Sequence, residues 1–159
     1  MLLCLVLGCG YQLERGVALP SGALAVRVAA VQNRTALADA GGLFEAALRD
    51  ALSAQGRLSP EGGQAPMLEA ELESVRSVPS AFGAAAAPAF RLEAALRLRL
   101  RDGAGAVVYE DEATGAEDYL SAVDVIGTEA NRRAALRRLA ATLAREAIEK
   151  MEMAARLGH

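Results

Sequence analysis

Arg91 to Arg101 reads Arg-Leu-Glu-Ala-Ala-Leu-Arg-Leu-Arg-Leu-Arg. Leu92, Leu96, Leu98 and Leu100 share one parity, and Arg91, Glu93, Arg97, Arg99 and Arg101 share the other. A period of two predicts a strand with one buried and one wet face. In a helix, Leu96 and Leu98 would sit about 200° apart and could not both be buried. Asp102-Gly103-Ala104-Gly105 is a turn signal, and Val107-Val108-Tyr109 opens a second strand. With a four-residue loop, Leu100 is expected opposite Val107, Leu98 opposite Tyr109, and Arg97 opposite Glu110. Such cross-strand pairs contribute about 0.2–1 kcal/mol each. The hairpin forms the middle of a sheet, and its leucine face needs an apolar cover.

The rest of the chain supplies that cover. Val26, Val28 and Ala30 alternate with Arg27, which predicts a strand of about seven residues over 25–31. Asn33-Arg34-Thr35 reads as a turn, and Gly41-Gly42 ends the loop. Leu43 to Gln55 carries an apolar stripe of Phe44, Ala47, Leu48, Ala51 and Leu52, so it is predicted to be an amphipathic helix that Gly56 stops. Residues 59–66 are a loop. From Leu68 to Arg76 the chain alternates again, with Glu69, Glu71 and Glu73 outward. Residues 79–89 form a long apolar link, open to two readings: a surface docked on a partner or lipid, or drift in an alanine-rich sequence. Glu117, Asp118 and Tyr119 are placed in a loop after Gly115. Glu129 to Arg156 then predicts one helix of about 42 Å, capped by Thr128, with Leu136, Leu139, Leu143, Ala147 and Met151 as its buried stripe. The order β-α-β-β-β-α predicts an α+β two-layer sandwich: a four-stranded, mostly antiparallel sheet with two helices on one face. Leu92, Leu96, Leu98 and Leu100 are expected beneath Leu136, Leu139 and Leu143. An acidic row, the arginine row and a second acidic row (Glu110, Glu112) are expected side by side on the other face. Such a face is self-neutralising.

Several function classes are unfavourable. Net charge is −3, where a general nucleic-acid binder is usually basic. The single His is His159, and the two cysteines are Cys4 and Cys9. No Cys-His dyad, metal site or disulfide framework can be drawn inside the folded body. Glu110, Asp111, Glu112, Glu117 and Asp118 are candidate acids, but no His, Cys or phosphate loop accompanies them, so an enzyme and a cofactor are not expected.

Residues 1–9 read Met-Leu-Leu-Cys-Leu-Val-Leu-Gly-Cys. The run is shorter than the roughly 20 residues a spanning helix needs. Val6-Leu7-Gly8-Cys9 looks like a bacterial lipobox, which is cut before a Cys that becomes acylated; the alternative is a buried N-terminal strand. On the lipobox reading, residues 1–8 are a signal-peptide remnant and 9–159 a single domain anchored through Cys9. The charged region that opens such peptides is missing, so the true start is expected upstream of Met1. Gly10 follows Cys9, where inner-membrane retention commonly uses Asp.

The lipobox, Cys9-Gly10-Tyr11-Gln12-Leu13, Leu19-Pro20, the strand ending Val31-Gln32-Asn33-Arg34-Thr35 and the order of later elements resemble the LptE family of lipopolysaccharide-assembly lipoproteins. The resemblance covers nearly the whole chain. It implies an outer-membrane lipoprotein on the periplasmic face that plugs and helps fold an LptD-type β-barrel and supports lipopolysaccharide insertion. The alternative is an accessory lipoprotein of another envelope lipid or solute transporter. Family members are thought to touch lipopolysaccharide through basic residues in the second-to-third strand loop and near the start of the last helix. Residues 79–89 hold no Lys or Arg. Arg91, Arg132 and Arg133 are therefore the expected lipopolysaccharide contacts. Planar guanidinium groups suit phosphate geometry.

Overall fold

A computed structural model describes residues 18–60, 62, 64–81 and 88–158. The order is β1 (Arg27–Val28), β2 (Gln32–Asn33), α1 (Ala40–Ala54), β3 (Met67–Ala81), β4 (Ala89–Arg101), β5 (Val107–Leu120) and α2 (Val125–Leu157). The expected α+β sandwich is present, with one correction. The sheet has five strands and is mixed, because β1 and β2 both run parallel to β3 on one edge. The predicted seven-residue strand is broken into these two pieces. Val28 pairs with Leu68 and Gln32 with Glu71, so four steps on the edge match three on β3. The Ala29 N–H still donates to the Leu68 carbonyl, and the extra residue takes Ala30 and Val31 out of the ladder, as a bulge does.

β3 pairs with β4, and β4 with β5, both antiparallel. β3 runs past Arg76 because a register shift between Leu72 and Ser74 makes Glu73 an extra residue. Leu68, Ala70 and Leu72 face the core before the shift; Ser77 pairs with core-facing Leu92 after it. The even-odd pattern legible in the sequence ends at that bulge. The β4–β5 register also differs from expectation: Leu100 pairs with Tyr109, Arg99 with Glu110 and Leu98 with Asp111. Asp102 is the reason. Its carboxylate accepts from the backbone N–H groups of Ala104 and Ala106, and its own N–H donates to the Ala106 carbonyl. The loop therefore takes five residues, and an irregularity at Leu100/Arg101 absorbs one more. The slip is two residues, so the faces are kept.

Leu92, Leu96, Leu98 and Leu100 are buried, as are Leu136, Leu139 and Leu143. They join Phe44, Leu48 and Leu52 of α1 in one core. β5 continues as a strand through Glu117–Tyr119, predicted as loop, because its middle fits under α2. A Cβ on Gly115 would meet Leu143 Cδ2 at 3.0 Å and Leu139 Cδ1 at 3.3 Å. The glycine is what lets helix and strand touch. On either side of that contact, Glu117 pairs with Arg138 and Asp111 with Lys150. Three α2 side chains also cap carbonyls along this edge strand: Lys150 that of Glu112, Arg138 that of Asp118, and Asn131 that of Leu120. Filling the acceptors of an exposed edge discourages pairing with another chain.

α2 begins a turn earlier than predicted. Asp124 is its N-cap, accepting from the Gly127 N–H at 2.6 Å. Thr128, expected as the cap, instead donates to the Asp124 carbonyl and accepts from the Ala122 N–H. At the other end Arg57, buried, pairs with Glu152 at 2.9 Å and ties the exit of α1 to α2.

In urea unfolding of the soluble domain, Leu98→Ala is expected to cost about 2–5 kcal/mol. Gly115→Val is expected to cost about 1–3 kcal/mol by overpacking against Leu143. Arg99→Ala is expected to stay within about 1 kcal/mol, because its pair with Glu110 is partly exposed. An arginine variant less stable than the leucine variant would invert the assignment of faces.

Candidate functional site

Two surfaces hold the candidate residues. The first is the open face of the sheet. Glu69, Arg99 and Glu110 form one cross-strand row, and Glu71, Arg97 and Glu112 the next. The side chains pair on the diagonals as well as along rows: Arg97 with Glu73 at 2.6 Å, Arg99 with Glu110 at 2.9 Å, and Arg101 with Glu69 at 2.9 Å. Arg34, entering from the end of β2, pairs with Glu71 at 2.8 Å. The expected acidic–basic–acidic arrangement is present, and these guanidinium groups all have carboxylate partners.

Arg91 lies on this same open face. Its guanidinium donates to both oxygens of Asp118, at 3.0 and 3.3 Å. The hydrogen bond, and then the opposite charge, hold the Asp118 carboxyl below its ordinary value and push Arg91 up.

The second surface is where the N-terminus of α1 meets α2 beyond its first turn. Leu37, Asp39, Leu92, Glu129, Arg132 and Arg133 line a cleft there. Arg132 makes a two-pronged contact with Glu129, at 2.8 and 2.9 Å. That hydrogen bonding is the main cause of the lowered Glu129 carboxyl and the raised Arg132. Arg133 reaches across to Asp39, the N-cap of α1, at 2.9 Å. Arg132 and Arg133 are thus brought together. Arg91 is not: Leu92 turns toward the cleft, so Arg91 points away on the opposite face of β4.

Asp39 is not legible as a site residue from the sequence: it stands at the N-cap position of α1 without a side-chain capping bond, and its carboxylate is used by Arg133, 94 residues away. The turn reading of Asn33-Arg34-Thr35 gains a mechanism. The Asn33 carbonyl oxygen accepts from the Thr35 N–H and hydroxyl, and its amide donates to the Leu37 carbonyl at 2.7 Å. The segment steers the chain from β2 into α1. Asn33 also packs 3.1 Å from where a Gly41 Cβ would stand. Nearby on the core face, Phe90 and Tyr119 stack with centroids 5.4 Å apart, and the Tyr119 hydroxyl bonds Ser77.

Cys9, Cys4 and the segment to Leu13 lie outside the described residues, as do 82–87. Among the described residues, no helix is long and apolar enough to cross a membrane, and no cluster of His, Cys, Asp or Glu could hold a metal ion.

The described residues thus define a two-layer α+β domain with an ion-paired open sheet face. Residues 24–151 match the family described as LptE, lipopolysaccharide-assembly, and the chain belongs to that family. The family is one of non-enzymatic, envelope-associated lipoproteins acting in lipopolysaccharide assembly. No curated protein matches the sequence. Solved structures share the fold. A lipoprotein candidate from Caulobacter crescentus aligns with a TM-score of 0.63 and 24% identity, over 87% of this chain and 93% of its own. Rare lipoprotein B from Shewanella oneidensis gives 0.58 and 11%, over 84% and 99%. PelC from Paraburkholderia phytofirmans, a dodecamer, gives 0.51 and 23%, over 86% and 92%.

The ion pairs carry a direct expectation. Both carboxyls titrate below their ordinary values in the fold, so each pair stabilises above the unfolded pKa and loses its contribution as pH falls through the folded one. Being exposed, the pairs add little. In carboxyl NMR titrations, Arg132→Ala is expected to move Glu129 back up, and Arg91→Ala to do the same for Asp118. Curves that stay in place would mean that other groups set those pKa values.

Proposed function

We propose that this chain is an outer-membrane lipoprotein, anchored on the periplasmic side through an acylated Cys9, that seats as a plug inside an LptD-type β-barrel. In that position it helps the barrel fold and supports insertion of lipopolysaccharide into the outer leaflet. The observation that carries the plug reading, beyond family membership, is the open sheet face. Arg97, Arg99 and Arg101 on it are matched by carboxylates at 2.6–2.9 Å, and Arg76 stands opposite Glu93 in the register. Confining such a face in a lumen leaves few charges desolvated and alone, which is the costly case. Barrel interiors are generally polar, and a neutralised polar face suits them. The domain comprises residues 9–159 on this reading, with 1–8 removed.

For lipopolysaccharide itself, Arg132 and Arg133 are the proposed phosphate contacts, since they share one cleft beside the N-terminus of α1. Arg91 lies on the other side of β4 and would contribute at a separate point. In the fold at rest each is paired with an acid, so a phosphate would have to displace Glu129, Asp39 or Asp118.

Three experiments test this. Cys9→Ala is expected to release the protein from membranes, because stable anchoring needs more than one acyl chain; native protein with an unmodified Cys9 would end the anchor reading. Depletion is expected to lower the amount of folded barrel and of surface lipopolysaccharide. Unchanged levels of both would favour a transporter-accessory role. Arg132→Ala with Arg133→Ala is expected to weaken binding of the soluble domain to lipopolysaccharide and to reduce its salt dependence. Equal binding by wild type and variant at low salt would remove the pair from the site.

A further inference from the structure

The turn from β5 into α2 presents a patch that the core does not use. Leu120 is 58% exposed, Val125 and Ile126 are each 84% exposed, and Val123 is fully exposed. Four of the nine exposed large apolar side chains among the described residues therefore fall within seven positions. Scattered exposed apolar residues are ordinary; Val123, Val125 and Ile126, clustered in the chain at one corner with Leu120 at the adjoining strand end, are a candidate contact surface.

The patch sits on a fixed scaffold. The Ser121 N–H donates to the Pro88 carbonyl, and Asn131 to that of Leu120. Ala122 and Asp124 are both held by Thr128, and Asp124 caps the helix. Ala122 packs so closely that a Cβ on Gly127 would lie 2.6 Å from it. The apolar side chains are presented by a tied corner, which lowers the entropic cost of docking.

Charge and position narrow the occupant. From Leu120 to Asn131 the chain has no Lys or Arg, and the arginines beside Leu120, Arg91 and Arg138, are already paired with Asp118 and Glu117. Apolar segments that lie on membranes are usually flanked by basic residues. At the corner itself the charge is Asp124, which has no cationic partner among the described residues. A symmetric contact between two copies would bring Asp124 near Asp124. The described chain also starts at the opposite end. Val26 bridges Leu58 and Arg27 pairs with Met67, so the chain enters beside the start of β3, where Arg57 meets the C-terminal part of α2. The corner is at the other end of α2, a helix of 33 residues and about 50 Å. The nine residues from Cys9 to Val17 reach about 30 Å at most.

We infer that the Leu120–Ile126 corner is a docking knob for a protein wall: an apolar pocket in the barrel partner, bordered by a basic side chain that meets Asp124. This rests on the plug reading and adds a location and a chemistry to it.

The test uses the full-length lipoprotein produced together with its barrel. A photoreactive benzoylphenylalanine at Ile126 is expected to crosslink to the barrel. A crosslink to lipid alone, or to a second copy of the lipoprotein, overturns the inference. The combined variant Val123→Ser, Val125→Ser, Ile126→Ser is expected to keep the thermal midpoint of the domain, since all three side chains are exposed, and to recover about tenfold less barrel from detergent-solubilised outer membranes. Asp124→Asn preserves the cap and is expected to lower recovery in a salt-dependent way; recovery unaffected at low salt overturns the basic border. If wild type recovers the barrel and the triple variant recovers as much, the knob is wrong and the plug reading stands. If wild type recovers no barrel, both fall.

Discussion

The contact of Leu139 and Leu143 with Gly115 is the interaction on which the rest of the molecule depends. At 3.0–3.3 Å from where a Cβ would be, it allows a 33-residue helix to lie directly on the free edge of the sheet. A side chain at 115 would crowd Leu139 and Leu143 and strain the seat of the helix, beside which Arg138 meets Glu117 and Lys150 meets Asp111. The start of α2 is set separately by the Asp124 cap, which fixes the places of Arg132, Arg133 and the apolar corner along the helix. Close packing of this kind transmits a small local change over the whole helix.

The two faces of the sheet divide the work. The inner face is leucine and alanine against two helices, and supplies stability in proportion to the apolar area removed from water. The outer face contributes little to stability and much to what the domain can touch. Its charges are spent on one another, so it offers hydrogen-bonding polarity without a strong field of either sign. That suits a surface confined by a polar wall better than one steering a charged ligand. Both ends of the molecule then carry distinct chemistry. The buried Arg57–Glu152 pair fastens the end where the chain enters, and the uncovered apolar corner marks the other.

The candidate lipopolysaccharide contacts show how pairing and proximity separate. Arg132 and Arg133 are adjacent in sequence and share a cleft, yet bond different acids, one on their own helix and one at the start of α1. Arg91, grouped with them by closeness to the 82–87 segment, faces the other way because β4 alternates. Sequence distance to a loop does not report the side of a strand, whereas parity does: Leu92 is inward by the alternation of β4, and the same alternation turns Arg91 outward.

Periodicity by itself determined the elements: the alternation at 91–101, the acidic row at 69–73, and the three- and four-residue steps of the helices each have one geometry that buries their apolar side. Short polar patterns determined the chain's turns, such as Asn33-Arg34-Thr35. The family followed from the order of these parts together with short motifs. What only the tertiary structure decided depends on contacts between distant residues. The Glu73 bulge, the two-residue slip at Asp102, the split first strand and the strand character of Glu117–Tyr119 each come from fitting one element against another. The exposure of Val123, Val125 and Ile126 is of the same kind. A valine and an isoleucine beside a helix start read as core until the helix is laid on β5, and its first turn then projects beyond the sheet that would have covered it.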